Sequence, residues 1–72
     1  MDKLTELGRN IRAERNRLNY SQQKLAEKVG VEPHHISNIE RGKVDIKFTT
    51  LVLILEALNI PFEKVYELNL QK

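Results

Sequence analysis

The stretch SQQKLAEKVGVEPHHISNIERGK, residues 21 to 43, decides how this chain folds. Ser21 has a hydroxyl that can accept from first-turn amides, so a helix should begin at Gln22 and run to about Val29 with Leu25, Ala26 and Val29 inward. Gly30 ends it, because glycine reaches the left-handed conformation of a helix terminus without strain. A second helix opens with Pro33 at its first position, where the missing N–H costs nothing, and ends near Gly42. Ile36, Ile39 and Glu40 share one face by the three-and-four rule, so Pro33, His34, Ser37, Asn38 and Arg41 point elsewhere. This helix is apolar inside and hydrogen-bonding outside.

The flanking sequence continues the helical period. Upstream, a helix over about residues 3 to 17 places Leu4, Leu7, Ile11 and Leu18 on one face, with Asn19 and Tyr20 as the turn. Arg15 stands four residues after Ile11 and so falls on that inner stripe. Downstream, the loop KVDIK leads to a helix over about 47 to 58, apolar almost all round in TTLVLILEAL and closed by Asn59 in place of glycine. Pro61 opens a short fifth helix carrying Phe62, Val65, Tyr66 and Leu68. The pattern predicts five helices, no strand, and an all-α fold.

Seventy-two residues make one domain with a single core. At that size folding buries only about 60% of the extended chain's surface, so small domains often need disulfides, a metal or a partner subunit. Cysteine is absent, which removes disulfides and thiolate metal sites and fits a reducing compartment. The longest apolar run, LVLIL, is far short of the roughly 20 residues of a membrane span. A soluble cytoplasmic protein with no membrane association is therefore expected, and the lack of repeats, low-complexity tracts or linkers predicts no effector domain or tail. Residues 1 to 47 hold 10 Lys and Arg against 7 Asp and Glu, while residues 48 to 72 hold 2 against 3. The net charge of +2 thus comes from the first two-thirds, where a positive surface should lie.

An enzyme of this length would need a nucleophile with a base, paired acids or a metal cluster, and no motif supplies one. The adjacent pair His34 and His35 points its rings about 100 degrees apart on a helix, so they cannot readily share a metal as histidines at i, i+4 do. No cofactor and no metal are expected.

Two short helices joined by a tight glycine turn can present the second one to the major groove of DNA. From Gln22 the pattern Q-x-x-x-A-x-x-x-G-x-x-x-x-x-I-x-x-I fits Ala26, Gly30, Ile36 and Ile39 without a gap. In these residues, and again in its last two helices, the chain resembles the XRE family, helix-turn-helix proteins of the phage-repressor and Cro type, over about residues 4 to 68. The resemblance implies a compact five-helix, lambda-repressor-like DNA-binding domain. It also implies that Gln22 contacts phosphate and braces the recognition helix, that Pro33, His34, Ser37 and Asn38 meet base edges, and that Arg41 and Lys43 contact the backbone. A pairing of Arg15 with Glu40 is implied as well, and both already fall on inner faces by their spacing.

The chain departs from the family pattern at three places. Glu32 stands where Ser, Thr or Asp usually caps the recognition helix, Pro33 offers a base no donor, and Leu53 replaces an exposed charge. Lys24 lies in the first turn of its helix, where the dipole disfavours a cation unless an anion such as a DNA phosphate is near.

The expected function is a sequence-specific transcriptional regulator, of repressor or restriction-modification controller type, that binds an inverted-repeat operator in double-stranded DNA as a homodimer. Pro33 would reach a thymine methyl, His34 a purine edge or a phosphate, and Asn38 would make the bidentate amide contact to adenine. His35 would lie nearer the backbone, with Gln22, Lys24, Arg41 and Lys43 supplying the sequence-independent attraction. Leu53, Phe62 and Tyr66 belong to more apolar surface than one small core can cover, and are expected at the dimer surface. The rival reading is a protein-interaction module on the same fold, an antirepressor or antitoxin subunit. It predicts an apolar or acidic outer face, whereas Pro33, His34, Ser37, Asn38 and Arg41 are mostly polar or basic.

Overall fold

A computed structural model describes residues 2–61 and residue 64. Helix α1 (Lys3–Arg17) starts at Asp2, whose Oδ1 accepts the Thr5 N–H at 2.8 Å. That backbone hydrogen bond favours the charged carboxylate and holds the Asp2 carboxyl below its ordinary 3.8. Leu18 caps the other end and Asn19 turns the chain with a φ of 61°. Helix α2 (Gln22–Val29) is capped by Ser21, whose Oγ accepts the Lys24 N–H at 2.9 Å. Gly30 closes it at a φ of 87°, its N–H donating to the Ala26 carbonyl at 2.8 Å.

Helix α3 (Pro33–Glu40) begins with proline after Glu32, which makes no side-chain cap bond. Its end is well tied: the Gly42 N–H donates to the Ile39 carbonyl at 3.0 Å and the Lys43 N–H to the Asn38 carbonyl at 2.9 Å. Gly42 reaches this turn with a φ of 71°. Helix α4 (Phe48–Ala57) lacks a side-chain cap at Lys47 and finishes through Leu58 and Asn59, the latter at a φ of 61°. Asparagine is among the residues that tolerate that left-handed state.

Helix α3 packs against α1 and α2, and α4 packs against α2. Leu7 and Ile11 of α1, Leu25, Ala26 and Val29 of α2, Ile36 and Ile39 of α3, and Ile54 with Leu58 form one buried cluster. Two glycines set how closely α1 and α3 approach. A Cβ on Gly8 would meet the Ile39 carbonyl oxygen and stand 2.5 Å from that of Glu40. A Cβ on Gly42 would stand 2.7 Å from the Cα of Thr5. The first two turns of α1 therefore rest directly on the backbone that ends α3.

Among the described residues there are four helices and no strand, one helix fewer than the five expected. The expected fifth helix, with Phe62, Val65, Tyr66 and Leu68, lies outside the described residues apart from Pro61 and Lys64. Among the described residues no helix is long and apolar enough to cross a membrane.

Candidate nucleic-acid interface

The outward face of α3 is held in position from behind. Arg15 Nε donates to Glu40 Oε2 at 2.6 Å and its Nη2 to Glu40 Oε1 at 3.0 Å, a two-pronged contact between α1 and the last residue of α3. The third arm of the guanidinium, Nη1, donates to the Tyr20 carbonyl at 2.8 Å. Gln22 Nε2 adds a further bond to Glu40 Oε1 at 3.0 Å. The side chains of Arg15 and Glu40 are only 9% and 2% exposed. A carboxylate so deep in the protein is tolerable because it is paired with an opposite charge and accepts three donors. The end of α3 is thereby tied to α1, to the turn at Tyr20 and to the first residue of α2.

In front of this brace lies the surface α3 turns outward. Pro33 and His34 are exposed in its first turn, and His35, Ser37 and Asn38 are half-buried. Arg41 and Lys43 are exposed beyond its end, and Lys24 is exposed at the start of α2. Gln22 is half-buried at the junction of the brace and the surface. The four residues expected to read bases thus occupy two consecutive turns of one short helix, with cations at its end and beside it.

One contact bears on Asn38: its Oδ1 accepts a hydrogen bond from Arg41 Nη2 at 3.0 Å, which engages one of the two lone pairs of the amide oxygen. Among the described residues, no three His, Cys, Asp or Glu side chains gather as a metal site.

Of the three residues expected at a dimer surface, Leu53 is 44% exposed on α4, while Phe62 and Tyr66 lie outside the described residues. Sequence reasoning passed over Phe48, which is 65% exposed at the start of α4. It also passed over the double part played by Tyr20, whose carbonyl receives Arg15 and whose ring lies 5.4 Å beneath Lys28 Nζ. A tyrosine in the turn that follows Arg15 was the available signal. The Asn38–Arg41 bond was also visible in principle, since residues three apart on a helix are neighbours.

The helix-turn-helix family model matches residues 11–65, the greater part of the chain. The chain belongs to the helix-turn-helix family. It is 35% identical over 65 residues to the control protein C.SmaI of Serratia marcescens, spanning 90% of this chain and 77% of that protein. Its structure is similar to that of the clp gene regulator ClgR from Corynebacterium glutamicum, with a TM-score of 0.89 and 25% identity over 96% of this chain and 88% of that one. The restriction-modification controller protein C.AhdI from Aeromonas hydrophila shares the fold, at a TM-score of 0.82 and 24% identity over 86% of this chain and 94% of that one. The all-α helix-turn-helix architecture expected from residues 21 to 43 is the architecture of these regulators.

Proposed function

We infer that the protein is a sequence-specific transcriptional regulator that lays α3 in the major groove of an inverted-repeat operator and binds as a cytoplasmic homodimer. That it is a DNA-binding transcriptional regulator follows from the family to which it belongs, a family that is in general non-enzymatic. Similarity to a control protein and to a restriction-modification controller favours the controller type. The whole chain then serves as a single DNA-binding domain, with the helix-turn-helix at about residues 22 to 41 and the segment from about residue 47 to 68 completing the core and pairing the two copies.

The observation that carries this reading is the two-sidedness of α3. Ile36, Ile39 and Glu40 are locked into the core, while Pro33, His34, Ser37, Asn38 and Arg41 look away from it. Base edges are read by apolar contact and by hydrogen bonds of these kinds, and phosphates attract cations and amides. In this account Pro33, His34, Ser37 and Asn38 meet bases, and Gln22, Lys24, His35, Arg41 and Lys43 meet the backbone.

Two-fold pairing through Leu53, Phe62 and Tyr66 would set two α3 helices about one DNA turn apart, about 34 to 36 Å. The test is footprinting on operators recovered from the protein's own genome, followed by mobility shift on duplexes in which the spacing between half-sites is varied. Tight binding to two inverted half-sites one turn apart, weakened when half a turn is inserted, is expected. Equal affinity for operator and random duplex would refute the regulator reading, and indifference to spacing would refute the homodimer.

A further inference from the structure

We propose that Arg41 reads a base, guanine, from the centre of the outward face of α3, and that Asn38 positions its guanidinium there. The proposal rests on α3 lying in the major groove, as inferred above, and moves Arg41 from the backbone contacts to the base contacts. Arg41 is the first residue past α3, but its N–H still donates to the Ser37 carbonyl at 3.1 Å, so it continues the helical register. In that register it stands only about 20 degrees round the axis from His34, with Ser37 and Asn38 on either side. Ile36, Ile39 and Glu40 fill the opposite side of the helix, in the core. Lys43 is placed differently, because Gly42, at a φ of 71°, breaks the register before it. Helix α3 has 8 residues, about 12 Å of rise, which is about the width of the major groove. The column of His34, Asn38 and Arg41 therefore fits within the groove from end to end.

The direction of the side chain agrees with that placement. Arg41 Nη2 donates to Asn38 Oδ1 at 3.0 Å, which draws the guanidinium back over the outward face and not onward past the end of α3. The bond engages one N–H of a planar fork of donors that carries no acceptor. Guanine shows the groove two acceptors, N7 and O6, which such a fork can meet together. Adenine and cytosine set an amino donor against it, and thymine offers the single acceptor O4. Asn38 keeps the second lone pair of its oxygen and both Nδ2 hydrogens, so it remains able to read a neighbouring base on its own account.

Selections of bound duplexes from a random pool test this, using the wild type, Arg41→Ala, Lys43→Ala and Asn38→Ala. Arg41 is exposed, so truncating it leaves the core as it is. In the wild type one column of the enriched site should hold guanine over the other bases by about tenfold, the order expected for one bidentate contact. Arg41→Ala should flatten that column and spare the others. Lys43→Ala also removes a cation but lies off the helical register, so it should weaken binding overall and keep every column. Asn38→Ala should flatten a neighbouring column and also lower the guanine preference in the column of Arg41, because the guanidinium loses its tether. Every column retained in Arg41→Ala, or a flattened column that holds a base other than guanine, would overturn base reading by Arg41 and leave the regulator reading intact. A guanine preference unchanged in Asn38→Ala would overturn the positioning role. Absence of any enriched sequence in the wild type would overturn the regulator reading as well.

Discussion

Arg15 and Glu40 show how much one pair of side chains can decide. Each is buried, and each is satisfied chiefly by the other. Removing one leaves its partner charged and desolvated, which costs about 3 to 5 kcal/mol, a large share of the stability of a small domain. Arg15→Met and Glu40→Leu should each lower the denaturation midpoint sharply, and the double variant should lose less than the two single losses combined. Simple additivity in chemical denaturation would show that the two charges do not depend on each other. Asp2 gives a milder case at the surface. Its folded carboxyl titrates below 3.8 because of the Thr5 N–H, so the stability it contributes is present above that value and is lost as pH falls through the lowered one. The advantage of wild type over Asp2→Ala in thermal unfolding should accordingly shrink from neutral pH into acid. An advantage independent of pH would assign the cap's effect to something other than its charge.

At the scale of the helices, the three glycines separate two reasons for using that residue. Gly30, at a φ of 87°, has open space where a Cβ would go, so Gly30→Ala meets only the strain of the left-handed backbone, about 1 to 2 kcal/mol. Gly8 is helical but lies against the backbone of Ile39 and Glu40, and Gly42 combines a φ of 71° with the close approach of Thr5. Gly8→Ala and Gly42→Ala should both cost more than Gly30→Ala, because a carbonyl or a Cα cannot move aside without shifting a helix. Urea denaturation of the three variants checks the order, and a Gly30→Ala loss equal to the other two would contradict the packing of α1 on α3.

The same contrast explains what the sequence made legible. Ser21, Gly30, Pro33 and Asn59 are local signals whose meaning needs no neighbour from elsewhere in the chain, and helices α2, α3 and α4 start or stop beside them. Arg15 and Glu40 could be assigned to inner faces from spacing alone. Gly8 could not be read in this way, since its role depends on which helix crosses α1 at that point. The Asn38–Arg41 bond is not legible for a different reason: a spacing of three on a helix permits the contact, but which rotamers two outward polar side chains adopt is not fixed by spacing.

For the molecule as a whole, the open questions are what covers α4 and what α3 reads. Leu53 is 44% exposed and Phe48, at the start of the same helix, 65% exposed, while Leu51, Ile54 and Ala57 pack into the core or against it. If Leu53 belongs to a dimer surface, Leu53→Glu should raise the dissociation constant by far more than it lowers the unfolding midpoint. Sedimentation at micromolar concentration should show a wild-type dimer and a folded monomeric variant, and a monomeric wild type would remove Leu53 from that role. The central claim, that the outward face of α3 reads sequence, is tested most directly by measuring affinities of Asn38→Ala and Lys43→Ala for the operator and for random DNA across salt. Lys43→Ala should weaken binding to both DNAs alike and flatten the salt dependence by about one unit. Asn38→Ala should cost about 1 to 3 kcal/mol on the operator and little on random DNA, whereas equal losses on the two DNAs would contradict the account.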